Sequence, residues 1–288
     1  MLDPIEEIAI AEQFGVARDQ VQRDHLISHL LAALSEHCAD QVIFFGGTAL
    51  CRSFVPDGRL SEDIDLIAVG GRGDVAAAVE RLLVRANRRE YPGLRWLPPL
   101  STVRDTDPAV LSTEDGVNVR IQLLNQVGYP PWPVAPHELV QRYSDAPPAT
   151  LTVPTRAAFA AWKTAAWMDR AASRDLYDLW SLAGIGAIDQ EAAALFTRYG
   201  PTNKPPAGRV FSAAPEEAAW VRDLGSQTRL TVTAAEALTI VRDARGPPPR
   251  HSDRWLTAAA GRRMGRRPRA AAWRPGRAGS RTGGGTPG

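Results

Sequence analysis

A stretch that combines two glycines, a threonine and closely spaced acids follows the purely apolar run VIFF: GGTALCRSFVPDGRLSEDIDL, residues 46–66. Gly46 and Gly47 carry no Cβ, so the backbone at these positions can come close to a ligand. A helix that begins near Thr48 would direct unpaired N–H groups and the positive end of its dipole toward an anion. The sequence therefore predicts a phosphate site at this turn.

Asp63 and Asp65 stand two residues apart in the segment SEDIDL. In a strand, both carboxylates would project from one face, about 7 Å apart. Such a pair can bind two Mg²⁺ ions about 4 Å apart, which suits attack on a nucleotide phosphate. An isolated D-x-D also occurs by chance and in glycosyltransferases and nucleases. The structural alternatives are a tight turn at the glycines and a capping or surface acid at Asp63. The two features together favour a nucleotidyl-transfer site.

The elements that must position these residues alternate in type along the chain. Leucines at helical spacing predict a helix over 20–37, and QVIFF predicts a short buried strand over 41–45. A strand over 63–69, a helix over 73–90 and an alternating strand over 116–126 follow. This order indicates an α+β fold, a small mixed sheet covered by helices. We assign residues 1–130 to this core with its N-terminal helix.

The Pro-rich stretch 130–154 is interpreted as the passage to a second, mainly helical part, residues 131–246, which completes the active site. TRAAFAAWKTAAWMDR and SRDLYDLWSLAG predict two helices there. PEEAAWVRDLGSQ and TAAEALTIVRDAR predict two more.

Composition bounds the class of protein. Of the 288 residues, 44% are hydrophobic and 23% are charged, as is typical of a soluble globular protein. Cys38 and Cys51 support neither a disulfide framework nor a metal site, which favours a reducing cytoplasm. No apolar run of about 18 residues predicts a membrane span, and the acidic N-terminus is unlike a signal peptide.

Residues 247–288 carry ten arginines and one acid, so this tail has a charge of +9 and the remainder 2 − 9 = −7. A segment so rich in Arg, Gly and Pro cannot bury enough apolar surface to offset its ordering entropy. We expect the tail to be disordered. It is either a basic nucleic-acid-binding arm or a segment with little selected function, and its lack of aromatic interleaving favours the second.

Four segments resemble, in the right order, the motifs of the AbiEii/AbiGii-type nucleotidyltransferase toxins, a group that includes the MenT toxins of mycobacteria. The segments are FFGGTALCR, RLSEDIDL, WKTAAWMDR and RDLYDL, and the resemblance spans about residues 20–200. It implies a DNA polymerase β-like nucleotidyltransferase fold, Mg²⁺ or Mn²⁺ as cofactor and an antitoxin of the transcription-regulator type as partner. It also implies transfer of a nucleotide from an NTP, with CTP or UTP favoured, to the 3′ end of tRNA.

The resemblance assigns roles residue by residue. In the first motif, Gly47 and Thr48 would hold the triphosphate, and Gly46 and Arg52 belong to the same substrate-binding segment. Lys163 of the third motif would neutralise the triphosphate. By itself, a lysine in the helix AAFAAWKTAAWM has the alternative of extending to solvent.

In the second motif, Asp63 and Asp65 would bind metal, and Ser61 stands where some toxins of this group are phosphorylated. Asp178 of the fourth motif would lie near the nucleophile. The alternative for Asp178 is a helix ion pair with Arg174, four residues before it, and Asp175 is best interpreted as a first-turn helix acid.

Two features bear on the acceptor and on activity. Arginines over 81–89 could contact an RNA backbone, although such a stripe is more often a solvated helix face; they are Arg81, Arg85, Arg88 and Arg89. Polymerase β-like enzymes usually carry a third carboxylate on a later strand, where this sequence offers Asn118, Arg120 and Gln122. The alternatives to tRNA are a protein or small-molecule hydroxyl as acceptor, or a catalytically silent RNA-binding regulator on the same fold.

Overall fold

The protein is described by a computed structural model over residues 2–245, where seven strands form one mixed sheet in the order β3-β4-β5-β2-β1-β7-β6. The tail prediction for 247–288 lies outside the described residues. The strands are β1 (Val42–Phe45), β2 (Asp63–Ala68), β3 (Arg95–Trp96), β4 (Ala109–Ser112), β5 (Asn118–Asn125), β6 (Val134–Leu139) and β7 (Ala149–Pro154). The mixed sheet confirms the predicted α+β class.

The helices that cover this sheet include all of those predicted from periodicity. Within residues 2–245 they are α1 (Pro4–Phe14), α2 (Arg18–His37), α3 (Gly46–Ser53), α4 (Arg72–Ala86), α5 (Arg156–Arg170), α6 (Ser173–Gly184), α7 (Gln190–Tyr199), α8 (Glu217–Leu224) and α9 (Ala234–Ala244). Short 3₁₀ turns occupy Leu100–Thr102 and Gly208–Phe211. None of the helices in the described part of the chain is long and apolar enough to cross a membrane.

The centre of the sheet sets the position of the acidic residues. β1 runs antiparallel to β2, with Phe45 opposite Asp65. β5 runs parallel to β2 and places Arg120 beside Asp63 and Gln122 beside Asp65. The alternate residues Ile64 and Leu66 are fully buried in the main core. Burial of one face thus fixes the register that turns both aspartates to the other face.

The stretch 130–154 is not merely a passage, and that interpretation is wrong. It contains β6 and β7, and β7 pairs in parallel with β1. Prolines hid β6 from sequence analysis, because a proline such as Pro136 cannot donate to a ladder. β6 is one of the two edge strands of the sheet, where this missing donor is tolerated. The sheet therefore crosses position 130, and the division of the chain into domains there stays a prediction.

The helical part after the sheet packs around a core of its own. Trp167 of α5 and Trp220 of α8 are both buried in this cluster, together with residues of α6 and α9. α5 also packs against α7. Because α5 follows β7 directly, the sheet and the helical core are joined through the helix that carries Lys163.

Candidate active site

The glycine turn lies directly against two charged side chains. α3 begins at Gly46 itself, two residues before the predicted start, and Gly46 has a φ of +81°. A Cβ on Gly46 would lie 2.0 Å from Asp65 Oδ2, and one on Gly47 would lie 2.3 Å from Arg59 Nη2. Gly46 requires glycine because of its positive φ, and a side chain at either position would displace the carboxylate or the guanidinium that fills the space.

Thr48 has a structural contact that sequence analysis did not anticipate. Its buried hydroxyl donates a hydrogen bond to the backbone carbonyl of Asp63. This bond joins the first turn of α3 to the first residue of β2. Thr48 therefore fixes the glycine turn relative to the acidic strand.

Asp63 and Asp65 line one open cavity, together with Ser61. Asp63 is paired with Arg120, whose Nε and Nη2 each lie 2.8 Å from a carboxylate oxygen. Burial, and next the negative charge of Asp63, raise the pKa of Asp65 to about 7. Asp65 is thus a carboxylate whose charge the surrounding protein compensates poorly.

Lys163 does not extend to solvent; it belongs to a buried ion-pair network behind the cavity. Its Nζ lies 2.6 Å from Asp178 Oδ2 and 3.3 Å from Asp175 Oδ1. Asp178 also accepts from Arg59, at 2.9 Å from Nε and 3.1 Å from Nη2. Against the cost of burial, Arg59 and Lys163 lower the pKa of Asp178 to about 2. Asp178 is consequently ionised and fully engaged at neutral pH.

Asp175, the residue interpreted as a first-turn helix acid, is in the first turn of α6, but it is buried. Arg170 donates to both of its oxygens, and Lys163 reaches one of them. Although burial opposes ionisation, these cations lower the pKa of Asp175. Arg170 also lines the cavity, so Asp175 holds two cations at its wall.

Arg174 differs from the other cations that line the cavity, because those cations are all held in ion pairs. The pair with Asp178 that the spacing of four residues suggested is not formed, because Asp178 binds Arg59 and Lys163 instead. Arg174 lines the cavity, and within residues 2–245 its side chain makes no ion pair or hydrogen bond. Its charge is therefore available to an anion.

An aromatic wall adjoins the carboxylates, and sequence analysis missed it. Phe45 and Trp162 are stacked, with ring centroids 4.7 Å apart and planes 15° apart. Trp132 lies next in the stack, 6.1 Å from Trp162. Phe45, Trp162 and Tyr129 line a second cavity, which adjoins the first and shares Asp65 and Lys163 with it. The available signals were the aromatic end of VIFF and the tryptophan directly before Lys163.

Other predicted residues lie elsewhere. Arg52 is buried, with Nη2 2.8 Å from the carboxylate of Asp24 and Nη1 2.9 Å from the carbonyl of Val140. It ties α3 to α2 and does not line the cavity. The arginine stripe is exposed and also outside the cavity lining, and since α4 ends at Ala86, only part of the stripe is helical; its members are Arg81, Arg85, Arg88 and Arg89.

The mixed sheet, the glycine turn at a helix start and the carboxylate pair on the neighbouring strand define an α+β protein of the nucleotidyltransferase class. The fold is similar to that of MenT4, a nucleotidyltransferase toxin from Mycobacterium tuberculosis H37Rv, with a TM-score of 0.62 and 23% identity over 83% of this chain and 88% of that one. No curated protein matches the sequence.

The family model for the nucleotidyl transferase AbiEii toxin of type IV toxin–antitoxin systems matches residues 29–249. The chain belongs to this family of nucleotidyltransferase toxins. The resemblance carried by the four sequence motifs is thereby confirmed.

Proposed function

We propose that this protein is a metal-dependent toxin that transfers a nucleotide from an NTP to the 3′ end of tRNA and so blocks translation. The observation that carries the proposal is a pair of adjoining cavities that share Asp65 and Lys163: one holds the carboxylate pair and several cations, and the other has the aromatic wall. The hydroxyl of the acceptor attacks the α-phosphorus, a new P–O bond forms, and pyrophosphate leaves as its bond to that phosphorus breaks. Membership of the toxin family supports the class of reaction.

Asp63 and Asp65 are the residues that would hold Mg²⁺ or Mn²⁺, and they fit such an ion. Both are hard oxygen ligands on one strand face. Burial and the neighbouring charge of Asp63 raise the pKa of Asp65, and a bound cation would offset both effects. Arg120 now supplies one charge to Asp63 and is the group with which an ion there competes. A bound ion would neutralise charge on the phosphates and polarise the phosphorus.

The cations and the helix start would bind the triphosphate. Gly46 and Gly47 begin α3, and together with Lys163 they line the cavity that the aromatic wall bounds. Arg174 adds an uncommitted positive charge. Preorganised charges of this kind stabilise the charge that develops in the transition state. Ser61 lies among these groups, so a phosphate on its hydroxyl would compete with the nucleotide.

The aromatic wall is suited to the nucleobase. Trp162 is half-buried and already stacked on Phe45, and aromatic stacking on a base contributes about 1–3 kcal/mol. Stacking alone tolerates every base, so the expected preference for CTP or UTP rests on the family. Asp178, which sequence analysis placed near the nucleophile, is buried with a pKa of about 2. We assign it to positioning Lys163 and Arg59 rather than to accepting a proton.

The test is incubation of the full chain with Mg²⁺ and each α-labelled NTP in turn, with purified tRNA, total RNA or a cell extract. Label at the tRNA 3′ end, strongest with CTP or UTP, is the expected result. Label on protein or on a small molecule would replace the acceptor in the proposal. No label with any acceptor would favour a silent RNA-binding regulator, which Arg120 and Gln122 at the position of a third carboxylate would explain.

The substrates and the family of the toxin indicate where it acts and which partner it has. NTP and tRNA place the toxin in the cytoplasm. A type IV family implies an antitoxin encoded with it, and we expect one of the transcription-regulator type. Residues 131–246 would complete the site, because they contribute Lys163, Arg170 and Arg174.

The exposed arginine stripe predicts a selective effect on the acceptor. Arg85→Glu combined with Arg88→Glu should reduce tRNA labelling about tenfold or more, since reversing phosphate contacts weakens RNA binding. Both side chains are exposed and outside the cavity lining, so NTP affinity should stay unchanged. The measurement is labelling rate against tRNA concentration, with NTP affinity determined separately.

Arg174→Ala is the matched control, because it removes one arginine from the cavity itself. It should weaken NTP binding while the dependence on tRNA concentration changes less. Unchanged tRNA labelling in the double reversal would show that the stripe is only a solvated face.

A further inference from the structure

A second cluster of ligand-type side chains lies outside the active-site cavity. His25 and His29 are one helical turn apart on α2, and both are buried. They meet Asp145, which lies between β6 and β7, and Tyr91, which follows α4. None of these four residues lines the cavity that holds Asp63 and Asp65.

Both histidines of the cluster lie close to the carboxylate of Asp145. Its Oδ1 lies 2.9 Å from His25 Nε2 and 3.5 Å from His29 Nε2. One ligand atom from each of the three residues can be chosen so that all lie within 4.8 Å of one another. The His25 and His29 rings are in edge contact, with centroids 4.7 Å apart. Asp145 is about a quarter exposed, at 27%, which leaves a route from solvent.

The Nε2 atom of His29 gives independent evidence that a ligand binds at this cluster. Within the described residues this buried nitrogen has no hydrogen-bond partner, although it faces the Asp145 carboxylate. A buried polar atom without a partner destabilises the folded chain, because it has given up its hydrogen bonds to water. A cation between the three side chains would give His29 the partner that the protein does not supply.

We propose that His25, His29 and Asp145 form a binding site for a divalent transition metal of the Zn²⁺ class. Two imidazoles and one carboxylate suit Zn²⁺, whereas Mg²⁺ prefers oxygen ligands alone. Zinc ligands at about 2.0–2.2 Å in a tetrahedron lie about 3.3–3.6 Å from one another, which is close to the spacings around Asp145. Histidines one helical turn apart match a common zinc-ligand spacing.

Tyr91 has the position of an outer partner to this site. Its hydroxyl is hydrogen-bonded to His25 Nδ1, which leaves His25 Nε2 directed at Asp145. Metal-binding histidines commonly donate a hydrogen bond from the other ring N–H to an oxygen acceptor, which fixes the tautomer and the ring orientation, and the Tyr91 hydroxyl can serve as this acceptor. A metal here would link α2 to the segment between β6 and β7, so its role would be structural.

The test is zinc binding by the full chain, stripped with EDTA and titrated with Zn²⁺ in excess Mg²⁺ to saturate the active-site carboxylates. One high-affinity Zn²⁺ per chain is expected, and Co²⁺ in its place should show the visible absorption of a tetrahedral site. His29→Ala should weaken binding more than about 100-fold, and Tyr91→Phe about 10-fold, as an outer partner does.

His37→Ala is the matched control, because His37 is a half-exposed histidine at the end of the same helix. It should bind zinc like the parent. Circular dichroism checks that His29→Ala is folded. If it is not, His29→Gln, which keeps a polar side chain in the site, is titrated in its place. Equal zinc affinity in a folded His29 variant and in His37→Ala, or no stoichiometric zinc in the parent, would overturn the proposal.

Discussion

Asp65→Asn is expected to lower the rate of nucleotide transfer at least about a thousandfold while the chain stays folded. Asparagine keeps the shape of the side chain but loses the charge that would hold the metal against the phosphates. A thousandfold loss corresponds to about 4 kcal/mol of transition-state stabilisation, which is within the range for one electrostatic group. The measurement is single-turnover incorporation of label, with circular dichroism as the check on folding.

The same substitution should stabilise the metal-free protein, and the effect should depend on pH. Asp65 has a pKa of about 7 in the folded chain, against the ordinary 3.8 of an aspartate carboxyl, which we take for the unfolded chain. Between these values the folded state keeps a proton that the unfolded state releases, so stability falls as pH rises through 7. Asparagine cannot ionise, so it removes the destabilisation that the charged Asp65 causes in the folded chain. In EDTA, the Tm of Asp65→Asn should exceed that of the parent by about 2–5 °C at pH 8 and by less at pH 5.

Asp63→Asn is the matched control, since it should lose transfer equally but gain little stability. Asp63 is about a quarter exposed and paired with Arg120, so its removal breaks an ion pair worth about 0–1 kcal/mol while relieving Asp65 of a like charge. Transfer by either variant at the parent rate would show that these carboxylates are not the metal site.

Local patterns account for what the sequence predicted well. The glycine turn, the D-x-D strand and helices α5 and α6 each follow from periodicity and turn residues within a short window. Arg59 and Asp178, in contrast, pair across 119 positions. Arg120 reaches Asp63 only because β5 pairs with β2 in one register. Such partners depend on the assembled sheet, which composition and spacing do not specify.

Arg52 shows why a motif does not assign every residue in it. It stands five residues after Gly47 in α3, and at 100° per residue its side chain points about 140° away from the side of the helix on which Gly47 lies. The same helix therefore presents its start to the cavity and Arg52 to the buried Asp24 on α2. The motif predicted the segment correctly, and helix geometry decides which of its residues meets the substrate site.

The largest expected loss of stability comes from Asp178→Asn. Asp178 is 1% exposed and binds both Arg59 and Lys163. Its pKa of about 2 lies below the usual 3.8, so its stabilising contribution is present at neutral pH and is lost only as pH falls toward 2. Removing one partner of a buried pair costs about 3–5 kcal/mol, because the other charge stays buried. We expect the Tm at pH 7 to fall by about 10 °C, measured by calorimetry.

Lys163→Met separates the contribution of this ion-pair network to stability from its contribution to nucleotide transfer. Methionine removes the charge that faces the cavity, yet Asp178 keeps its two bonds from Arg59, so Tm should fall by much less while nucleotide transfer is lost.

If Asp178 acts only by positioning Lys163, then Asp178→Asn, assayed well below its Tm, should weaken NTP binding and leave the pH profile of transfer unchanged. A general base would behave differently, since its loss would lower kcat at unchanged KM and remove the acid limb of that profile. An Asp178→Asn variant with the parent Tm would contradict the ion-pair network itself.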